Sequence, residues 1–468
     1  MKRPNILILH TDQQRWDTIR YGGNEHIHTP NLDALAERGA LFQNFFCNSP
    51  VCMPSRHSML SGQYPSAIGS TCNGIEMRED VLTMHKVLKP YGYHTASNGK
   101  LHFKNHANRD HRAPHPTYGF DQLIVSDDFG CYDDAYIKWV EEKDPSQVEN
   151  VLSTSCPAWT GEPLIVPGRE HLMHEPYTFA APEELTHSAF VAEETLSYIQ
   201  RHRDEPFFAI AGFFSPHSPV NPPQRFVDMY DPSTLPLPFM NEGEDRYDLS
   251  ADEWRRVKAY YYGLISHIDD QIGRILTALD EAGLRDDTLI VFTSDHGEHN
   301  GDHGMVGKGT PYDSCNRIPL IVSYPGHIPE GEIYHEIVEG VDLAPTLIDY
   351  CGVQIPPVMQ GRSFRPLLEG GAYDPRRSAY IELRIPRGHA ETKDMTGRSW
   401  KGLRTQDYEY AVYDDGRELL FDLRADPHEL NDVSDDAAYA DALHAMHEEL
   451  VRRWFDVEVQ YPKRTGAY

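Results

Sequence analysis

Short unbroken apolar runs, each breaking into polar residues, mark the first three quarters of the chain. Ile6-Leu7-Ile8-Leu9 runs into His10-Thr11-Asp12, and Pro206-Phe207-Phe208-Ala209-Ile210 leads to Ser215-Pro216-His217. Thr288-Leu289-Ile290-Val291-Phe292 ends in Ser294-Asp295-His296-Gly297, and Arg317-Ile318-Pro319-Leu320-Ile321-Val322 is a further run. Runs of this length without alternation predict strands buried on both faces. Helical patterns lie between them. Thr29-Pro30 offers an N-cap and first helical position ahead of Leu32, Leu35 and Ala36, with Gly39 as a stop. Residues 81–88 predict a helix closed by Pro90 and Gly92, residues 254–279 a long one ended by Gly283, and residues 343–350 another. Strands alternating with helices predict an α/β sheet covered on both faces.

Past about residue 370 the pattern changes. Residues 378–383, 408–413 and 418–423 predict short strands, and a final helix is expected near 437–455. We read residues 1–370 as one large domain and residues 371–468 as a small α+β C-terminal subdomain. Asp12, His217, Asp295 and His296 stand just beyond the C-terminal ends of apolar strands, where open α/β sheets place their ligand sites. The loop 105–116 is rich in His and Arg, as a rim over such a pocket would be.

Charge and composition narrow the chemistry. Lys+Arg 43 against Asp+Glu 72 leaves the 468-residue chain at −29, which argues against nucleic acid and anionic membrane as partners. An anionic small molecule is still admissible, because a few local cations can dominate a pocket. The 25 His are a rich supply of acid–base and metal-ligand groups. The N-terminal apolar run is too short for a leader or a membrane span, and nothing later reaches membrane length. The seven Cys are odd in number, scattered and without CxxC pairing. That predicts a reducing, cytoplasmic setting without a disulfide framework or structural zinc.

Cys52-Met53-Pro54-Ser55-Arg56 is the decisive segment. Pro54 fits the first turn of a helix running through Leu60 to Ser61-Gly62, which places Cys52 at a helix N-terminus where negative charge is favoured. On its own the string also fits a small buried Cys before a helix.

The segment resembles the C-x-P-S-R motif of the sulfatases, a branch of the alkaline-phosphatase-like superfamily, in which that Cys becomes formylglycine. Other motifs follow in the family's order: Asn5 to Asp12, Gly99-Lys100-Leu101-His102, Ser215-Pro216-His217, and Ser294-Asp295-His296-Gly297 with Lys308. The resemblance implies an alkaline-phosphatase-like fold, with a large mixed sheet flanked by helices, and residues 1–370 as the catalytic domain. It implies one divalent cation held by Asp12, Gln13, Asp295 and His296 together with an oxygen on residue 52. It also implies catalytic roles for Cys52, Arg56, Lys100, His102, His217 and Lys308, and maturation by a formylglycine-generating enzyme; Asn73, within Cys72-Asn73-Gly74, is read as a further substrate contact.

The pattern departs from the commonest sulfatase set, which has Asp at position 13 and Asn at position 296. Gln13 and His296 remove one negative charge and add an imidazole, moving the expected metal from Ca²⁺ or Mg²⁺ towards Mn²⁺ or even Zn²⁺. That combination resembles the related phosphonate monoester hydrolases, whereas Lys100 and His102 match the sulfatases. The expected activity is therefore arylsulfatase-like hydrolysis of a small sulfate ester, with phosphonate monoester or phosphodiester hydrolysis by the same nucleophile as the alternative. Asn73 also fits an Asn-Gly turn. Arg15 and Asp17 are expected to organise the loop after Asp12, and Asp269 and Asp270 read as charges on a helix face. The substrate loops, about 104–129 and 153–178, carry no readable signature. The tail 457–468 reads as a frayed terminus, with a homo-oligomer contact as the alternative.

Overall fold

The computed structural model describes residues 3–105, 115–128, 134–153, 166–169, 172–385 and 398–458. Its strands are β1 (Asn5–Asp12), β2 (Ala40–Phe42), β3 (Phe45–Phe46), β4 (His94–Gly99), β5 (Gln122–Val125), β6 (Phe207–Pro216) and β7 (Thr288–Ser294). They continue with β8 (Leu320–Ser323), β9 (Glu332–Tyr334), β10 (Val338–Glu339), β11 (Ala379–Leu383), β12 (Trp400–Arg404), β13 (Tyr408–Tyr413) and β14 (Glu418–Asp422). Eight strands form one sheet in the order β5-β4-β6-β1-β7-β8-β2-β9. The five from β5 to β7 are mutually parallel, whereas β8 runs antiparallel to both β7 and β2. The mixed α/β sheet read from the sequence is the one found.

The unbroken apolar runs are explained by their two faces. Ile6, Ile8, Phe208, Ile210, Leu289 and Val291 join a core that includes Leu343, Leu347 and Ile348. Their neighbours Leu7, Leu9, Ala209, Ala211, Ile290 and Phe292 point the other way, onto Leu32, Leu35, Ile268 and Ile272. Successive strand residues alternate sides, so a strand covered on both faces can have no polar face.

Parallel pairing brings several strand ends to one edge. Thr11 is level with Ser294, and Asp12 with Pro216 across an irregularity in the ladder. Gly99 is level with Gly212. A Cβ on Gly99, where φ is +92°, would stand 2.2 Å from Gly212 O, and one on Gly212 would stand 2.2 Å from Lys100 O. Only glycines fit this crossing, and it seats Lys100 directly beside the end of β6.

Differences from the sequence reading have local causes. The helix expected over 81–88 begins at Met84, and Lys89–Tyr91 continues it as a 3₁₀ turn through Pro90 to Gly92. The long helix is Ala251–Glu281, started by a capping box between Ser250 and Glu253 that precedes the apolar pattern. β8 starts after Pro319, which has no N–H for the ladder. β4 went unread because its sequence, HTASNG, is polar although five of its six residues are buried. The helix His187–Arg201, capped by Thr186 on Ala189 N, also went unread.

Beyond residue 370, β11 to β14 form an antiparallel sheet in sequence order, followed by the helix Ala440–Val457. One face packs Tyr380, Leu403, Tyr410 and Leu420 on Met446, Leu450 and Val457. The other packs Ile381, Leu383, Trp400 and Tyr413 on Phe46, Val51 and Cys72, beside the start of the Cys52 helix. Trp400 Nε1 donates to Gly309 O (3.0 Å), tying this sheet to the Lys308 loop. Among the described residues no helix is long and apolar enough to cross a membrane. Cys131 and Cys156, most of the His- and Arg-rich loop, much of both substrate loops and nearly all of the tail lie outside the described residues.

Candidate active site

Four strand ends and one helix start converge on Cys52. The helix Cys52–Ser61 is buried along its whole length and closes on Gly62, whose φ of +65° suits a left-handed cap. In its first turn Asn73 Oδ1 accepts from Met53 N (3.0 Å). Asn73 thus holds the helix start, beside whatever contact its amide nitrogen makes.

Cys52 is buried. Its Sγ lies 3.2 Å from His296 Nε2, 3.9 Å from Asp12 Oδ1, and accepts from Lys308 Nζ at 3.0 Å. Burial and the Asp12 carboxylate push the thiol pKa up. Lys308, His296 and Lys100 outweigh them, and the thiol sits well below its usual range. A negative or strongly polarised atom is therefore stabilised at this point.

Arg56, one turn into the helix, bridges the two acids. Its Nε donates to Asp295 Oδ2 (2.7 Å), its Nη2 to Asp12 Oδ2 (3.0 Å), and its Nη1 to Lys100 O (3.1 Å). Lys100 Nζ adds a second cation on Asp12 Oδ2 at 2.8 Å. Burial would raise Asp12, but Lys100, His217, Lys308 and Arg56 hold it well below the carboxylate range. Asp295 differs: burial raises it, Arg56 and more weakly His296 lower it, and Asp12 and Cys52 push it up again, so it ends above its ordinary value. His296 is lifted too, because Asp295 overcomes the effect of burial.

Asp12, Cys52, Asp295 and His296 each offer an atom within 4.8 Å of the others, and all four residues are buried. Two carboxylates and an imidazole this close compete for protons, and a divalent cation among them relieves that crowding. Gln13, held at φ +67°, donates its backbone N–H to Asp295 Oδ1 (3.0 Å) and accepts from Lys308 Nζ on its side-chain oxygen (2.8 Å). An oxygen-rich set with one nitrogen fits Ca²⁺, Mg²⁺ or Mn²⁺.

The remaining expected residues lie around this centre. His217 follows β6 half-buried, its Nδ1 2.8 Å from Ser218 O. Burial, Lys308 and Lys100 depress its pKa well below the usual imidazole value, so it is neutral at pH 7. His102 is buried at φ +54°; its backbone N–H and that of Leu101 both donate to Asp127 Oδ1 (2.8 and 2.9 Å). It neighbours His57 of the Cys52 helix, whose pKa is held at about 3 by burial and by His102. Arg15 organises the loop as expected, with Nη1 on Glu298 O, His299 O and Asp302, and its other nitrogens on Asp17.

Four residues here escaped the sequence reading. Ser55 Oγ donates to Asp295 O (2.5 Å), and His10 Nδ1 stands 3.5 Å from Arg56 Nη1. Asp127 braces the Lys100–His102 turn, and the fully buried Glu298 accepts from the Gln13 side chain. Glu298 was the most accessible of these, since it follows Asp295-His296-Gly297 in the same loop. Asp269, read as a helix-face charge, is instead buried and accepts from Asn31 N (3.1 Å) and Leu32 N (2.7 Å) at the start of the helix Pro30–Glu37. Its partners lie more than 230 residues away in sequence.

A family model described as Sulfatase matches residues 4–353, and one described as N-sulphoglucosamine sulphohydrolase, C-terminal, matches residues 301–455. An arylsulfatase of Clostridium perfringens is 30% identical, over 96% of this chain and 94% of its own. Among solved structures, the phosphonate monoester hydrolase of Agrobacterium radiobacter superposes with a TM-score of 0.82 at 26% identity, covering 97% of this chain and 96% of its own. That of Silicibacter pomeroyi gives 0.84 at 26% identity, over 98% and 97%.

Proposed function

This chain belongs to the sulfatase family and is a hydrolase of sulfuric esters, and we propose that it works through a formylglycine made from Cys52 and one divalent cation. The observation that carries this reading is Cys52 itself, buried at a helix N-terminus with Lys308, His296 and Asp12 around its Sγ. That sulfur stands where a hydroxyl oxygen of the hydrated aldehyde would lie. Formylglycine supplies two hydroxyls on one carbon, one to attack sulfur and one through which sulfate is later expelled. Asp12, Gln13, Asp295 and His296 would hold the cation, which would supply Lewis acidity to the oxygen on residue 52.

The other residues divide the work. Arg56 holds Asp12 and Asp295 apart in fixed orientation and is a scaffold for the metal ligands. Lys100, on Asp12, places positive charge beside the oxygens of the transferred group, where charge grows as the ester bond breaks. Lys308 carries a proton at neutral pH, since the Cys52, Asp12 and Asp295 charges outweigh burial and hold its pKa above the ordinary lysine value. His217 is neutral there, so we assign the leaving-group proton to Lys308 and the orientation of the leaving oxygen to His217. His102 is assigned as the base for the second hydroxyl. Asn73 secures the N-terminal turn that carries the nucleophile.

The reading extends to a small aryl, alkyl or sugar sulfate as substrate, Mn²⁺ or Ca²⁺ as metal, and a formylglycine-generating enzyme for maturation. The five described cysteines that are free and buried support a reducing, cytoplasmic setting. Mass analysis of the peptide containing residue 52 tests the core of the proposal. Aldehyde at that position in active protein is expected, and full activity from protein holding only thiol overturns it. Gln13, His296 and the two phosphonate hydrolase structures favour phosphonate monoester hydrolysis as a second reading. Comparing kcat/KM on matched sulfate and phosphonate esters decides which reaction dominates.

A further inference from the structure

We infer that Glu298 is a positioning residue of the metal site, fixing which end of the Gln13 carboxamide faces the cation. This rests on the reading of Gln13 as a metal ligand. A carboxamide is nearly symmetric in shape, and only its hydrogen-bond partners decide where its oxygen points. The Gln13 backbone is pinned first: its N–H donates to Asp295 Oδ1 (3.0 Å) and its carbonyl accepts from Tyr261 OH (2.7 Å). Its side-chain Nε2 then donates to Glu298 Oε2, and its Oε1 accepts from Lys308 Nζ at 2.8 Å.

Glu298 is fully buried, and its other oxygen accepts from Asn300 N (3.1 Å) and Gly307 N (2.5 Å). Those two backbone donors prevent the carboxylate from turning away. The Glu298 oxygen facing Gln13 accepts from its NH₂ group, and the Lys308 ammonium, which can only donate, takes the amide oxygen on the other side. The carboxamide oxygen is thereby directed at the Lys308 ammonium, which also donates to Cys52 Sγ at 3.0 Å, at the centre of the ligand cluster. Without this acceptor only the Lys308 ammonium orients the amide, and a reversed amide would turn its NH₂ group towards the cation, which repels it. The same carboxylate anchors Gly307, next to Lys308, so one buried acid sets both the amide ligand and the lysine arm.

Direct binding of Mn²⁺ and of Ca²⁺ to metal-stripped protein with Cys52 unmodified, followed by calorimetry, tests this without reference to turnover. Glu298→Gln should weaken binding on the order of 10–100-fold, the cost usual for losing a group that orients a ligand. Gln13→Glu combined with Glu298→Gln reverses donor and acceptor across the same pair and should recover affinity to within about tenfold of the unsubstituted protein. Should Glu298→Gln fail to fold alone, Glu298→Asp keeps an acceptor for Asn300 and Gly307 while withdrawing it from Gln13, and should still bind more weakly. Unchanged affinity in Glu298→Gln, or in Glu298→Asp where that variant must stand in, would overturn the inference. So would a double variant no better than the single. If the unsubstituted protein binds neither ion, the reading of the metal site itself fails, a separate result.

Discussion

Arg56 and Arg453 are both buried guanidiniums clamped to buried acids, yet their surroundings differ. Where the main sheet meets the C-terminal subdomain, Glu339 accepts from Arg453 Nη2 (2.7 Å), Tyr380 N (2.8 Å) and Tyr64 OH (2.5 Å). Asp342 accepts from Arg376 Nε (2.9 Å) and Nη2 (2.5 Å), Glu339 N (3.1 Å) and Arg362 N (2.8 Å). Burial would raise Glu339, but Arg376, Arg453 and the hydrogen bonds bring it down to about 2. At the strand ends Arg56 makes contacts just as short, and Asp295 nevertheless ends above its ordinary value. Two arginines serve two acids in the first network. In the second, one arginine is shared by two acids, while both lysines lie on Asp12 and Cys52 rather than Asp295. A closed network of this kind supports the fold. An open one leaves charge unmatched for a cation and an anionic substrate to complete.

Substitutions that strike one network and spare the other test that contrast. The largest effect is expected from Cys52→Ala, which should abolish turnover on any sulfate ester while urea unfolding stays close to that of the parent; residual turnover would remove Cys52 as nucleophile. In the closed network, Arg453→Ala strips one partner from a buried pair and should cost about 3–5 kcal/mol of unfolding free energy. The kcat of the folded fraction should hold, and a large drop there would mean the two networks are coupled. Lys100→Ala and His102→Ala should reduce sulfate hydrolysis on the order of 10²–10³-fold, the range for lost transition-state donors, and phosphonate hydrolysis by less. Equal losses on both esters would make these residues supports for residue 52 rather than determinants of sulfate preference.

A milder effect follows from acid. Glu339 titrates at about 2 when folded against an ordinary value of 4.5. Its contribution to stability is complete above pH 4.5 and is lost as the pH falls towards 2. Glu339→Gln should therefore flatten the pH dependence of unfolding in that window, and an unchanged slope would contradict the assignment. The smallest shift expected is in metal choice: His296→Asn replaces an imidazole by an amide oxygen and should move reactivation of stripped enzyme from Mn²⁺ towards Ca²⁺.

Much of this molecule was readable in the chain because its signals are local. β1, β6 and β7 announce themselves by apolar runs, and Cys52, Pro54 and Arg56 by spacing within one helical turn. The unread parts depend on distant partners. β4 is polar in sequence and is a central strand only because β5 and β6 flank it. Asp269 looks like any acid on a helix, and its burial depends on Asn31 and Leu32 arriving from the other end of the chain. Glu298 sat beside a recognised motif, but its purpose is visible only once Gln13 Nε2 is seen against it. Asn73 was expected at substrate, and its oxygen accepts from Met53 N in the first turn of the Cys52 helix.

The glycines at 99 and 212 carry a consequence of a different kind. Their backbones meet so closely that even an alanine methyl at either position would collide with a carbonyl oxygen. A survey of tolerated substitutions across this chain would therefore rank both with Cys52, although neither has a side chain to offer the reaction. Intolerance at these positions would record a clearance, and Lys100 owes its place to atoms that are missing as much as to its own.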